Sequence, residues 1–415
     1  MRVVLAIVFL ALILKDTSYL GDHYILRGLS QGLCLGAGLW WLVMGPRGSV
    51  APYAVLGIYG VVLVVTAVLS REPVYVALQV GSLGAVLLFF VAYHEMLRGS
   101  LTPNATILRL LLVAGTLVLV ISVVGAWKWP DLAYLYDPMA GQLRFRGLFG
   151  QPGMMGSAAG LMWGVAVFGP WHWTIKGGVG ALSLVCVALT SSRTFWVAWL
   201  LATLGTWWWT TRGRAMVTAG VGALLVVLVF GLAMVAFGLR VSEKTVAHTL
   251  RTDSIENLTG RTKVWKYALS SWWDRPLFGY GFTTGDEPFN TGDEPFNARK
   301  GTPLAGKGRD VKRYTLHNGY IQALLDSGAV GAALYVVVLG LAIIRIARPQ
   351  ATQLRVPLFI LLFAAIANMG ETIIFSAATF QSVLVWYCVV FGLSLAEQVP
   401  RAVERPVALV PEAAS

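Results

Sequence analysis

Long apolar runs separated by short polar connections make up most of this chain, and most of the runs are of bilayer-crossing length. A transmembrane helix needs roughly 17–25 mostly apolar residues. Runs of this kind predict about twelve spans, at residues 2–14, 25–44, 50–69, 74–93, 107–126, 153–168, 177–190, 194–209, 215–238, 319–346, 356–377 and 379–397. The first run, with Met1-Arg2 ahead of it, has the outline of a secretory signal. Lys15 to Leu20 offers no small-x-small cleavage site, so a short retained first span is expected. One polar stretch, residues 240–318, stands apart as the only long region rich in chemically competent side chains. The expected organisation is therefore helices 1–9 over residues 1–238, a catalytic loop over 239–318, helices 10–12 over 319–397, and a polar tail over 398–415.

Composition narrows the class. With 57% hydrophobic and 13% charged residues and a mean hydropathy of +0.69, the apolar surface exceeds what one soluble core buries. An all-α polytopic membrane protein is expected. The net charge of +12 does not point to nucleic acid, because the basic residues fall between apolar runs and form no contiguous stripe. Membrane lipids and phosphate-bearing lipids are the expected partners. Cys34, Cys186 and Cys388 each lie inside an apolar run and read as small buried hydrophobes. Among the short connections, Lys and Arg are more numerous on the side that holds Arg47, Arg212 and Arg348 than on the side that holds Lys15 and Arg193. That asymmetry puts both termini in the cytoplasm and the long loop outside, facing the periplasm of a bacterial inner membrane.

Within the loop, Val264, Trp265, Ala268, Leu269, Trp272 and Trp273 recur at helical spacing. An amphipathic helix over 261–273 lying in the membrane interface is expected, stopped by Pro276 and by Gly279-Tyr280-Gly281. A tandem repeat follows, Thr-Gly-Asp-Glu-Pro-Phe-Asn at 284–290 and again at 291–297. Its carboxylates match no metal-loop spacing, so the expectation is a tolerated duplication in a mobile loop.

No phosphate-cradling loop, dinucleotide fingerprint or zinc helix occurs. No metal and no cofactor are expected, and an enzyme facing outward would need a substrate that carries its own activation, such as a lipid-linked diphosphate glycan. His317 precedes a helix, and the positive helix end together with Arg309, Lys312 and Arg313 disfavours the imidazolium. A neutral imidazole is competent as a general base; an interfacial helix cap is the bland alternative. Ala323, Ser327 and Gly331, with Gly328 beside them, give that helix a small-residue face for close packing. Arg193, in the short turn Ser191-Ser192-Arg193-Thr194, needs an anionic partner or access to water so near hydrocarbon. A diphosphate would satisfy it bidentately, and Arg261 would add a second contact.

His317-Asn318, then nine residues, then Gly328-Ala329-Val330-Gly331 resembles the signature of the O-antigen ligase and polymerase superfamily. Ser191 to Thr194, Gly260-Arg261 with Trp265, and Pro276 to Gly281 resemble its other landmarks. Arg146-Gly147 through Pro152 resembles the family's Gly-x-x-x-x-Pro-Asn turn, with Gly153 in place of the Asn. The resemblance implies about twelve helices with a large periplasmic loop, and transfer of a polysaccharide from undecaprenyl diphosphate to an acceptor with inversion and without metal. It implies Arg193 and Arg261 as ligands of the donor diphosphate and His317 as the group that activates the acceptor hydroxyl. Asn318, Gly328, Gly331 and Arg146 would support them. Ligation of O-antigen to lipid A-core is the favoured reaction; chain polymerisation and glycan transfer to protein are the alternatives. A transporter of lipid-linked glycan is the alternative of another class, with Asp326 and Glu371 as the deep-charge candidates.

Overall fold

The computed structural model describes residues 2–17, 24–45, 51–96, 105–137, 142–211, 261–285, 287–290, 316–348, 352–373 and 379–395. The expected span at 215–238, most of the loop at 239–318 and the tail at 398–415 lie outside them, as do Arg309, Lys312 and Arg313.

The protein is mostly helical. In chain order the helices are α1 (Arg2–Lys15), α2 (Tyr24–Met44), α3 (Ala54–Leu69), α4 (Pro73–Met96), α5 (Ala105–Lys128) and the single turn α6 (Pro130–Ala133). After a hairpin come α7 (Pro152–Phe168), α8 (Trp173–Leu189), α9 (Arg193–Thr211), α10 (Arg261–Trp272) and the single turn α11 (Glu287–Asn290). The last are α12 (Gly319–Ala347), α13 (Arg355–Ala367) and α14 (Phe380–Ser394). Among the described residues, four stretches are long and apolar enough to cross a bilayer: Ala51–Leu69, Pro73–Met96, Ile107–Lys128 and Gly319–Ala347. Shorter apolar helices accompany them, as expected of a multi-pass membrane protein.

Packing explains the order of the bundle. Gly156, Gly160 and Gly164 form a stripe along α7, where an added Cβ would lie 2.6 Å from Phe195, 2.4 Å from Phe363 and 2.0 Å from Phe359. The rings of α9 and α13 therefore rest directly on the α7 backbone, a contact that only small residues permit in a membrane bundle. Helix α12 touches α3, α13, α14 and α10, so the residue at its head is fixed by most of the bundle.

Four expectations need correction. The span placed at 356–377 ends at Ala367, because Asn368 caps it and its side chain turns to hold the backbone of Ile373. Glu371 accordingly sits in a turn beyond the helix. A two-stranded antiparallel hairpin, β1 (Tyr134–Asp137) with β2 (Gln142–Phe145), lies between α6 and α7, where only a connection was expected. On α10 the apolar face is divided. Val264, Ala268 and Trp272 pack with Leu316, Leu325 and Tyr280 at α12, while Leu269 and Trp273 remain exposed. Finally, the first copy of the repeat is docked: Thr284 and Phe289 are buried. The second copy lies outside the described residues.

Helix α12 is also broken. Gly328 has φ 64° and ψ −172°, and an added Cβ would lie 2.2 Å from the carbonyl carbon of Leu277. The break frees backbone groups that a membrane interior would penalise, and the loop after α10 takes them up. Ala329 N donates to Pro276 O at 2.8 Å, Val330 N to Leu277 O at 3.3 Å, and the N–H groups of Tyr280 and Gly281 donate to Leu325 O and Asp326 O at 2.8 and 2.9 Å. The small face expected to meet a neighbouring helix therefore has two roles. Gly331 lies against Ser327 and faces Val62 of α3, whereas Gly328 admits the loop backbone.

Candidate functional site

The site is built at the head of α12. Asn318 is its N-cap, its side-chain oxygen accepting from Tyr320 N at 3.0 Å and Ile321 N at 3.1 Å. Its amide donates to Met369 O at 3.0 Å, tying the cap to the turn after α13. Gly319 N donates to Asn368 O at 2.8 Å, and an added Cβ at Gly319 would lie 2.1 Å from the Asn368 side chain. The order His-Asn-Gly thus has a steric reason: a capping residue, then a residue with no side chain at a point of backbone contact. Trp265 of α10 donates its indole N–H to Leu316 O at 2.9 Å, which fixes the residue just before His317.

His317 itself has φ 50°. A left-handed backbone at a non-glycine residue is uncommon and strained, and here it is held between the Trp265 contact and the Asn318 cap. It directs the imidazole to the turn after α13, where His317 Nδ1 lies 2.8 Å from Glu371 Oε2. The other oxygen of the same carboxylate accepts from Arg261 Nη2 at 3.1 Å, and Arg261 Nη1 donates to Gly370 O at 2.6 Å. One carboxylate therefore joins the first residue of α10 to the residue before the α12 cap. Burial pushes the Glu371 carboxyl up, but the hydrogen bond and charge of His317 and the Arg261 guanidinium outweigh it and hold the carboxyl below its ordinary value of 4.5. An ionised Glu371 accepts from Nδ1–H, which assigns the proton to Nδ1 and leaves the Nε2 lone pair free. The His317 side chain is 45% exposed and Glu371 only 16%, so the imidazole is open to its surroundings while the carboxylate that holds it is largely covered.

Arg193 opens α9 and is exposed. Its neighbour Thr194 packs against Gly370, where an added Cβ would lie 2.5 Å from the Thr194 hydroxyl, so the turn carrying Arg193 is set beside the backbone that Arg261 grips. Gly153 sits at the same place from another direction: a Cβ there would be 3.9 Å from Phe195 and 4.0 Å from Glu371 Oε2. A side chain at position 153 would reach the carboxylate, and glycine leaves that space open. Arg146 is placed elsewhere. Its Nε donates to Leu132 O at 3.1 Å, which ties the hairpin to α6. Among the described residues no group of three or more His, Cys, Asp or Glu gathers as a metal site.

Sequence reasoning weighed Glu371 only as a deep charge of a transporter and did not join it to His317. Its partner lies 54 positions away, and nothing local to Gly370-Glu371 announces the pairing. Asn368 and the Asp326 carboxylate were missed as organisers for the same reason. Asp326 is fully buried and accepts from Thr283 N at 2.9 Å, Gly285 N at 2.6 Å and Gln322 Nε2 at 2.8 Å.

No curated protein matches the chain. The model of the O-antigen ligase family matches residues 178–336, a stretch that holds Arg193, Arg261, His317, Asn318, Gly328 and Gly331 but not Glu371. These landmarks lie together in the matched stretch, which supports the resemblance of this part of the chain to the O-antigen ligase superfamily.

Proposed function

We propose that the protein is an inverting, metal-independent glycosyltransferase that moves an O-antigen polysaccharide from undecaprenyl diphosphate to a sugar hydroxyl of lipid A-core at the periplasmic face of the inner membrane. The observation that carries this reading is the convergence of Arg261 and His317 on the two oxygens of Glu371, beside the turn that presents Arg193.

Each group then has one task. Glu371 keeps the His317 ring oriented with Nε2 free. The acceptor O–H gives its proton to Nε2 as its oxygen attacks the anomeric carbon. The bond from that carbon to the diphosphate oxygen breaks on the opposite side, which inverts the centre. The departing lipid diphosphate needs no acid, because it is a good leaving group and Arg193 and Arg261 neutralise its charge. Arg261 already spends two donors on Gly370 and Glu371, so Arg193 is the fork free to grip phosphate bidentately.

The deciding assay incubates purified protein with undecaprenyl diphosphate-linked glycan, with and without lipid A-core. A ligase forms glycosylated lipid A-core and nothing longer than the donor glycan without acceptor. Extension of the glycan in the absence of lipid A-core would identify a polymerase, and movement of intact donor across a bilayer without transfer would identify a transporter.

A further inference from the structure

Four glycines lie along α7, and the first of them, Gly153, is unlike the rest. Gly156, Gly160 and Gly164 are required by packing, since a Cβ at each would collide with a phenylalanine ring. At Gly153 a Cβ would lie 3.9 Å from Phe195 and 4.0 Å from Glu371 Oε2, which is ordinary van der Waals contact. Gly153 is helical and its φ is not left-handed, so neither sterics nor conformation asks for glycine here. Alanine at such a position is the more stable choice.

The head of α7 is held firmly against this space. The carbonyl of Met154 accepts from Gln381 Nε2 of α14 at 3.2 Å. The start of α14 is held in turn by the end of α1, where the buried Asp16 carboxylate accepts from Phe380 N at 2.8 Å. Thr17 forms an antiparallel bridge with Phe149, in the turn that leads into α7. The ends of α1 and α14 therefore fix Gly153 beside Glu371, and the gap between them is preorganised.

What the gap holds follows from the proposed transfer, on which this inference rests. The anomeric carbon lies between the diphosphate at Arg193 and Arg261 and the acceptor oxygen at His317 Nε2. The sugar that carries it passes in front of Glu371, the residue that joins Arg261 to His317. Among the described residues Glu371 Oε2 has one partner, His317 Nδ1 at 2.8 Å, and a carboxylate oxygen can accept a second hydrogen bond. We propose that the space over Gly153 is the subsite for the first sugar of the lipid-linked donor, the unit bonded to the diphosphate, with one of its hydroxyls donating to Glu371 Oε2. A side chain at position 153 fills the volume that this ring needs.

Gly153→Ala separates the fold from the subsite, because the methyl fits the free protein but not the protein with its sugar. The purified full-length variant is compared with wild type for its thermal midpoint in detergent and for binding of two probes, undecaprenyl diphosphate-linked glycan and undecaprenyl diphosphate alone. The midpoint is unchanged or rises by about 1 to 2 °C. Affinity for the glycan-bearing lipid falls roughly ten- to a hundredfold, while affinity for the bare lipid diphosphate stays at the wild-type value. A midpoint lowered by several degrees overturns the proposal by making Gly153 a packing residue. Equal losses for both probes overturn it by assigning the space to the phosphates, and so does unchanged affinity for both. These outcomes leave the transfer reading standing, whereas a wild-type protein that binds neither probe overturns that reading and the subsite together.

Discussion

The two ends of the first stretch of α12 are both places where helical backbone gives way, and they are treated oppositely. At Gly328 the break is closed: loop carbonyls and amides pair with it, and Asp326 beside it accepts three hydrogen bonds in full burial. At His317 the irregular residue is left half open, with a strained backbone and one ring nitrogen uncommitted. The difference separates structure from chemistry. The Asp326 carboxylate, which only holds the fold, has its acceptors filled, whereas a group proposed to accept a proton keeps one nitrogen free and has its orientation enforced from behind.

Breaking the open end has the largest expected effect on transfer. His317→Ala keeps membrane insertion and donor binding and loses transfer by about 10² to 10⁴-fold, the worth of a positioned base; turnover with lipid A-core and binding of labelled donor measure the two separately. Loss of donor binding in this variant would move His317 out of the role of base. Arg193→Lys keeps the charge but not the fork, and slows turnover or weakens donor binding by roughly ten- to a hundredfold, since a charge-assisted bond contributes about 1.5 to 3 kcal/mol. Wild-type kinetics would reduce Arg193 to a membrane anchor.

How much of this contrast was written in the chain depends on the range of the signal. Among the described residues, helix bounds were legible within a few residues for most long apolar runs, the end of the run at 356–377 excepted, and α10 was legible from its spacing. Local motifs placed His317 and Asn318 at the head of one helix, but the break at Gly328 was not read, because a glycine among small residues reads equally well as a packing face. What could not be read was which distant carboxylate meets which cation, because Glu371, Arg261 and His317 are joined only by the packing of α13 against the rest. The hairpin of β1 and β2 was hidden for another reason: its strands are four residues each, below the length at which alternation stands out.

Two smaller effects sharpen the comparison. Glu371→Gln keeps the shape but donates or accepts ambiguously at Nδ1, so the variant keeps its donor affinity and loses turnover by about tenfold or more. The pH dependence follows from the sign of the Glu371 shift. A carboxyl held below 4.5 contributes stability that is present above its unfolded value and is lost as pH falls through the lower folded one. The cluster is therefore intact at neutral pH and loosens only as pH falls below 4.5, read as a drop in the thermal midpoint in detergent. At the closed end, Gly328→Ala costs roughly 1 to 3 kcal/mol for a left-handed alanine, before the collision with Leu277 is counted. It lowers the thermal midpoint in detergent, and an unchanged midpoint would contradict the tight seal.

The left-handed backbone at His317 also bears on how such a protein can change over generations. Most replacements at this position must fight the conformation, but asparagine accepts it readily, and its codons differ from those of histidine by a single base. A copy of this protein can therefore lose its proposed proton acceptor in one mutational step while its cap and bundle stay in place. On the proposed function, the descendant would still bind the lipid-linked glycan and transfer it only at the residual rate left without a base.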